Sequence, residues 1–402
     1  MTKTVDITDV VKKRVRDLPP LPMVVHKLVA TLGDERSCAD DVMRVLSSDQ
    51  ALAGKVLKLV NSSFYGMSGQ ISTPSRAVVI LGFAAIRNLA VGLNVAKFMS
   101  DVGADERTAL YWDHSITAAA ACRELAQRTG YPDPEEAFIA GLLHDIGQMV
   151  LEIVAPEAFT AVMAGPPEGM LAREDALIGI GHARAGQILL KHWRLPKPLC
   201  DAVRFHHAPP IFTRGDERLV SLVALADVFA NVHGQVFERS ITGDEFVALV
   251  AAAGFDVAET RATLVAMDDH IAETREFLEI ATDRTFASLP RTSVAGRRIA
   301  MICTDRVRMT WTDELLEHFG VIRVPMKEYF AGSEVDLVIL DPHGVTDEQL
   351  ARMAPRLSAP ELDLVLFDGD DGRVARALGR AVPAIPLAFS RGDLGAVGAD
   401  LN

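Results

Sequence analysis

Cysteine is scarce in this chain: Cys38, Cys122, Cys200 and Cys303 are the only four among 402 residues, and no two form a Cys-x-x-Cys pair. That excludes a paired-thiol site and leaves scattered buried thiols of a reducing compartment. Positive charge is also short, with 41 Lys and Arg against 54 Asp and Glu and a net charge of −13. A broad phosphate-binding surface needs clustered cations, so no nucleic-acid partner is expected. The basic run Lys12-Lys13-Arg14 with Arg16 sits among valines at helical spacing and reads as a solvated helix face. No apolar run approaches the roughly 20 residues that span a bilayer. The N-terminus, Met1-Thr2-Lys3-Thr4-Val5-Asp6, lacks the apolar core of a signal peptide. The expectation is a cytoplasmic protein without membrane contact.

Composition is otherwise ordinary, at 49% hydrophobic and 24% charged residues, and the length exceeds what one core usually serves, so two or three domains are expected. From Asp6 to about Asn231 the pattern is helical. Pro19-Pro20-Leu21-Pro22 stops a first helix, Met23 to Leu32 forms a second, and Ser37 with Asp40 resembles a capping box for a third. Another covers Ala51 to Asn61, where Asn61-Ser62-Ser63 reads as a helix end and turn or, alternatively, a docking surface. Thr73-Pro74 and Asp133-Pro134-Glu135-Glu136 start two more segments, the first with Val78, Val79, Leu81, Ile86, Leu89 and Val91 expected to be buried. Polar helices follow near Asp244 to Ala253 and from Val257 to about Thr282. After Leu289-Pro290-Arg291-Thr292, five short apolar runs alternate with helices: Ile299–Cys303, Val321–Val324, Val335–Leu340, Leu362–Phe367 and Ala384–Phe389. Thr310 to Asp313 can cap the helix that Gly320 ends, and Thr346 with Gln349 forms a second capping box. Buried strands alternating with helices imply a small, doubly wound, flavodoxin-like α/β domain.

One series of residues carries chemistry: His114, His144-Asp145, His182, His206-His207 and Asp227. Imidazole nitrogens and carboxylate oxygens are the mixed ligands of a first-row divalent metal. A lone histidine is usually a satisfied core or surface residue, so the weight lies in the conjunction. Asp227 falls in the apolar stretch Val220–Phe229, where an unpaired carboxylate would be costly and a metal, a histidine or an arginine is expected beside it. Arg184, Lys191 and Arg204 nearby read as solvated, with phosphate binding as the alternative.

Several motifs then appear in order: Leu18-Pro19-Pro20-Leu21-Pro22, Asp49-Gln50-Ala51-Leu52 through Asn61-Ser62-Ser63-Phe64-Tyr65-Gly66, Arg76-Ala77-Val78-Val79-Ile80-Leu81-Gly82, Ile86-Arg87-Asn88-Leu89 and Gly141-Leu142-Leu143-His144-Asp145-Ile146-Gly147. With them the first half resembles the HDOD family, the HD-related output domains of bacterial signalling proteins. The resemblance implies an all-helical domain in two lobes, 1–105 and 106–235, the second related to the HD metal-dependent phosphohydrolases. A helical connector, 236–292, and the α/β domain, 293–402, would follow.

Under that resemblance His114, His144, Asp145 and Asp227 hold one metal. Adding His182, His206 and His207 resembles the expanded set of the HD-GYP cyclic-dinucleotide phosphodiesterases, in which Asp145 would bridge two ions and a metal-bound water would act. Iron or manganese suits such ligands, with zinc as the alternative. Two departures stand against turnover: Ala208-Pro209-Pro210-Ile211 replaces the Gly-Tyr-Pro signature, and Leu110 stands where the expanded pattern has another acid. Asp113 is adjacent to His114 but projects about 100° away on a helix.

The tail resembles a response-regulator receiver, with Asp341 as counterpart of the phosphoacceptor. It lacks the partners of one: Cys303-Thr304-Asp305 offers a single carboxylate, Phe367-Asp368-Gly369 no hydroxyl, and Phe389-Ser390-Arg391 no lysine. A pseudo-receiver used for contacts is expected. The first functional expectation is therefore a bacterial signal-transduction protein, a metal-bound HDOD module acting through contacts with signalling proteins. A metal-dependent phosphohydrolase of a cyclic dinucleotide or other nucleotide, and a noncatalytic nucleotide sensor, are the alternatives.

Overall fold

The computed structural model describes residues 7–17, single positions and short runs between 27 and 92, then 106–165, 169–208, 217–233, 243–278, 296–342, 345–358, 364–367, 373–378, 382, 384 and 385. The helices expected at Met23 to Leu32 and after Ser37, the segment after Ala208 and the strand end beyond Ile385 lie outside these residues. The chain divides into two units. One comprises 1–227, 237–239 and 266–283, the other 228–236, 240–265 and 284–402.

The first unit is helical. Helix α1, Ile7–Asp17, buries Val11 and Val15 while Lys12, Lys13, Arg14 and Arg16 stay exposed, so the basic run is a solvated face. Asn61 works as a structural clasp: its amide donates to the carbonyls of Leu57 at 2.9 Å and Ile71 at 2.7 Å, and its Oδ1 accepts from Ile71 N at 3.0 Å. Val78, Ile86 and Val91 are buried as expected, but Val79 is 75% exposed. One residue of helix turns it about 100° from Val78, out of the buried face.

Helix α2, Glu106–Arg128, packs along α3, Pro134–Leu143. Asp133 caps α3 by accepting from Glu136 N at 3.0 Å, with Pro134 in the first turn. The alanines from 118 to 121 let the two helices approach closely; a methyl group on Gly141 would lie 2.7 Å from Cys122 Sγ and 2.8 Å from Ala118 O. Helix α3 ends at His144, and α4, Ile146–Val154, begins after Asp145. Contrary to the sequence expectation, Pro134–Val154 is long and apolar enough to cross a membrane, yet 83% of its apolar window is buried in the protein and the His144-Asp145 turn interrupts it.

Helices α5, Pro156–Met163, α6, Met170–Leu177, α7, His182–His192, α8, Lys197–Phe205, and α9, Glu217–Val232, follow. Helices α4 and α7 meet at two glycines. A Cβ on Gly147 would lie 1.8 Å from the His182 carbonyl oxygen and 2.6 Å from Gly186 N, and one on Gly186 would lie 2.8 Å from Val203. That contact brings the start of α7 against the start of α4.

The second unit contains α10, Gly243–Ala253, a 3-10 turn at Val257–Glu259 and part of α11, Thr260–Leu278. It continues as β1, Arg298–Ile302, α12, Arg306–His318, β2, Ile322–Val324, α13, Met326–Phe330, β3, Leu337–Leu340, α14, Asp347–Leu357, β4, Leu364–Phe367, α15, Arg373–Leu378, and β5, Ala384–Ile385. Four strands lie within their expected runs and β1 begins one residue early, at Arg298, and all pair in parallel in the order β2-β1-β3-β4-β5. The capping box of Thr346 and Gln349 is present. The cap of α12 is not at Thr310 to Asp313, which lie inside the helix; Asp305 takes that role, its carboxylate accepting from Arg308 N at 2.8 Å. Trp311 is fully buried against Phe229 and Phe246, with ring centroids 5.2 and 4.7 Å away. Burial pushes the Cys200 thiol up to about 11 and Cys303 up to about 12, in keeping with unreactive thiols.

Candidate metal centre

All seven expected ligands converge in the first unit, delivered by α2 (His114), the α3–α4 turn (His144, Asp145), the start of α7 (His182), the end of α8 (His206, His207) and α9 (Asp227). Two sets form, His114 with His144 and Asp227, and Asp145 with His182, His206 and His207, the ligand atoms of each lying within 4.8 Å of one another. His114 Nε2 is 3.1 Å from His144 Nε2 and 3.2 Å from Asp227 Oδ1. His182 Nε2 is 3.0 Å from His207 Nε2.

Asp145 stands between the sets. Its Oδ2 faces His144 Nε2 at 3.5 Å and His114 Nε2 at 3.8 Å, while its Oδ1 faces His182 Nε2 and His206 Nε2, each at 3.4 Å. Donors about 2.1 Å from one ion and at right angles are about 3 Å apart, so these spacings fit ligation of divalent ions. Asp145 Oδ1 and His206 Nε2 are buried without a hydrogen bond, which a metal would relieve.

The tautomers are set from behind. A carbonyl can only accept, so His144 Nδ1–H donates to Gly141 O at 2.7 Å and His206 Nδ1–H to Val203 O at 2.8 Å. Each Nε2 is then left as a lone pair pointing inward. His182 is held by Glu174, whose carboxylate oxygens accept from its Nδ1–H at 2.9 Å and from its backbone N–H at 2.8 Å. Gln148 donates its amide to Asp145 Oδ2 at 2.8 Å. Neither Glu174 nor Gln148 emerges from the sequence; full burial of Glu174 is the mark that reveals it.

Burial drives the His144 pKa down to about 4, with the Asp145 carboxylate opposing and the neighbouring histidines assisting. Burial likewise holds His207 well below the ordinary histidine range, reinforced by His206 and His182. For Asp145 and Asp227 burial favours the neutral acid, but the surrounding histidines prevail and both pKa values are lowered. His144 and His207 are therefore neutral imidazoles and Asp145 and Asp227 ionised carboxylates near neutrality, the forms that bind metal.

Leu110, half-buried on α2, supplies no further acid, and Asp113 is buried in an ion pair with Arg275. Arg184 and Lys191 are exposed. Arg204 is half-buried, its guanidinium 5.3 Å from the Phe205 ring, and burial and then the charge of Arg184 lower its pKa.

Residues 18–209, which carry six of the seven converging residues, match the HDOD domain family. They are an HDOD domain. A protein of Treponema pallidum (strain Nichols), itself uncharacterized, is 29% identical over 234 residues, 56% of this chain and 45% of that one, so the chain spans under half the length of this relative. An HDOD domain protein of unknown function from Geobacter sulfurreducens shares the fold, with a TM-score of 0.55 at 22% identity over 68% of this chain and 97% of that one. A candidate phosphohydrolase from Shewanella amazonensis SB2B aligns with a TM-score of 0.53 at 26% identity, over 67% of this chain and 98% of its own. The HDOD domain here thus contains groups that can hold divalent metal.

Proposed function

We propose that the HDOD domain is a dinuclear metal centre that hydrolyses a phosphoester, a cyclic dinucleotide or other nucleotide, within a cytoplasmic bacterial signalling protein. One observation carries this reading: the two oxygens of Asp145 face separate sets of histidine nitrogens. His114, His144, Asp227 and Asp145 Oδ2 would hold one ion, and His182, His206, His207 and Asp145 Oδ1 the other. Iron or manganese suits this nitrogen and oxygen set, with zinc as the alternative. Such ions supply Lewis acidity toward a phosphoryl oxygen and lower the pKa of water. The protein's own part is to aim His144, His206 and His182 through Gly141, Val203 and Glu174, and to fix the Asp145 carboxylate through Gln148. Arg184 and Arg204, two residues from His182 and His206, offer positive charge to a phosphate.

The tail supports a contact role. Its strand order is that of flavodoxin-like sheets, whose switch point lies between β1 and β3. There Asp341, fully buried after β3, is gripped by Arg308 at 3.2 Å from each carboxylate oxygen and accepts from Cys303 Sγ at 3.2 Å. A phosphoacceptor occupied by a resident guanidinium fits a pseudo-receiver that engages signalling proteins.

A second reading, a sensor that binds a nucleotide without cleaving it, is favoured by Leu110 in place of an acid. Metal analysis followed by incubation with cyclic dinucleotides and bis(p-nitrophenyl) phosphate in added manganese or ferrous iron separates the two. Hydrolysis lost in His144→Ala and Asp145→Ala is the expected result. Metal-dependent binding without turnover would move the protein to the sensor reading, and metal-free protein indifferent to both substitutions would sink both.

A further inference from the structure

Asp113 is fully buried on α2 next to the ligand His114, yet belongs to neither set of metal ligands. An ionised carboxylate in such a place needs a cation beside it. The cation comes from far along the chain: Arg275 of α11, about a third exposed, pairs with Asp113 Oδ1. About three turns further along α2, Glu124 pairs with His270 of α11 at 3.2 Å and with Arg128 at 2.7 Å. At 100° per residue, Asp113 and Glu124 lie within about 20° of one another, so one face of α2 carries both acids toward α11.

That face, together with the contact on α3, sets the rotation of α2. Gly141 of α3 meets α2 at Ala118 and Cys122, which lie about 140° and 180° round the helix from Asp113. His114, at about 100°, points between the two contacts, toward His144 and Asp227. The alanines from 118 to 121 bring α3 close but offer only short ridges against turning, which leaves the ion pairs with α11 to resist it. Arg275 lies beyond residues 18–209 that match the family, and the rest of its helix, from Thr260 to Val265, belongs to the second unit. The group that steadies α2 is therefore carried by the connector.

We propose that Arg275 is a positioning residue of the metal centre: by holding Asp113 it fixes the rotation of α2 and so aims His114 at the ion shared with His144 and Asp227. This role rests on metal ligation by the His114 set and not on turnover. An unpaired Asp113 would by its charge alone draw a cation closer, so weaker ion binding without Arg275 reports lost aim and not lost charge.

Titration of the full chain with cobalt(II), followed by calorimetry and by the visible absorption of the bound ion, tests it. Each set is assigned by its loss in Asp227→Ala or His207→Ala. Arg275→Ala should weaken the ion of the His114 set about tenfold and leave that of the His182 set within about twofold. Arg275→Lys should bring affinity back to within about threefold, because an ammonium on a long stem still reaches the carboxylate. Arg275→Gln keeps the length and loses the charge; it should fall as the alanine variant does, and it serves in its place if thermal melting shows that variant unfolded. Unchanged affinity at the His114 set, an equal fall at both sets or no recovery with lysine would overturn the proposal. Wild-type protein that binds no cobalt would overturn it together with the metal centre. Selective loss and recovery in a protein that hydrolyses nothing would uphold it and remove only the phosphohydrolase reading.

Discussion

At the scale of single residues, the centre depends on groups that touch no metal as much as on those that would. Glu174 fixes His182 in ring and backbone together. Glu174→Gln keeps the size but loses the charge and one acceptor, so affinity for the ion of the His182 set should fall about 10- to 100-fold while the His114 set is little changed. Titration with manganese or cobalt should resolve the two sites. Acid should act in one direction. His144 ionises near 4 when folded and near 6.5 when unfolded, so the unfolded chain binds the extra proton between those values and stability falls as pH drops through that window. Asp145 and Asp227, lowered in the fold, contribute stability above the ordinary carboxylate pKa that is lost on further acidification. The urea midpoint of metal-free protein should therefore decline from pH 7 to 4.5; a flat profile would contradict the buried neutral histidine. His144, Asp145 and their five companions stood out in the sequence because ligand chemistry belongs to residue type. Glu174 and Gln148 did not, because a supporting role is defined only by what lies beside it.

Among elements, two glycines set the geometry. Gly147→Ala would drive a methyl group into the His182 carbonyl, a contact with backbone that no side-chain rotation relieves. A loss of about 1–3 kcal/mol in denaturant unfolding is expected, together with weaker metal binding, since the same contact sets Asp145 against His182. The sequence marks the ends of these helices well where the cap is local: Asp133-Pro134 and the Thr346 capping box are both present. Local rules failed where two caps competed. Asp305 starts α12 five residues before Thr310, because a carboxylate directly after β1 captures the first free N–H groups. Val79 likewise follows the hydrophobic pattern in kind but not in direction, since runs of apolar residues do not say which of them faces inward.

Across the whole molecule, the α/β tail combines an apolar core around Val338, Leu340 and Leu357 with a buried cation. Arg308 is 2% exposed and joins Asp341 to Asp244 of α10, the latter at 2.7 Å. Asp244 is almost fully solvated, so the Asp341 arm dominates. Arg308→Ala would strand the Asp341 carboxylate in the core of the sheet and should cost about 3–5 kcal/mol. Arg308→Ala combined with Asp341→Asn should recover part of that loss, because the stranded charge is gone. Chemical denaturation of the two variants checks this, and equal stability of single and double variants would assign Arg308 a packing role alone.

The sequence by itself determined the helical first half, the strand runs of the tail, the HDOD family and the ligand types of the centre. These follow from local periodicity, capping chemistry and the donor atoms of each side chain. Only the tertiary structure decided that Asp145 lies between two histidine sets, that Glu174 and Gln148 hold the ligands and that Arg308 occupies the Asp341 site. Each of those depends on helices or strands distant in sequence being packed together, and the closeness of that packing is set by contacts such as Gly147 on His182 that no single segment encodes.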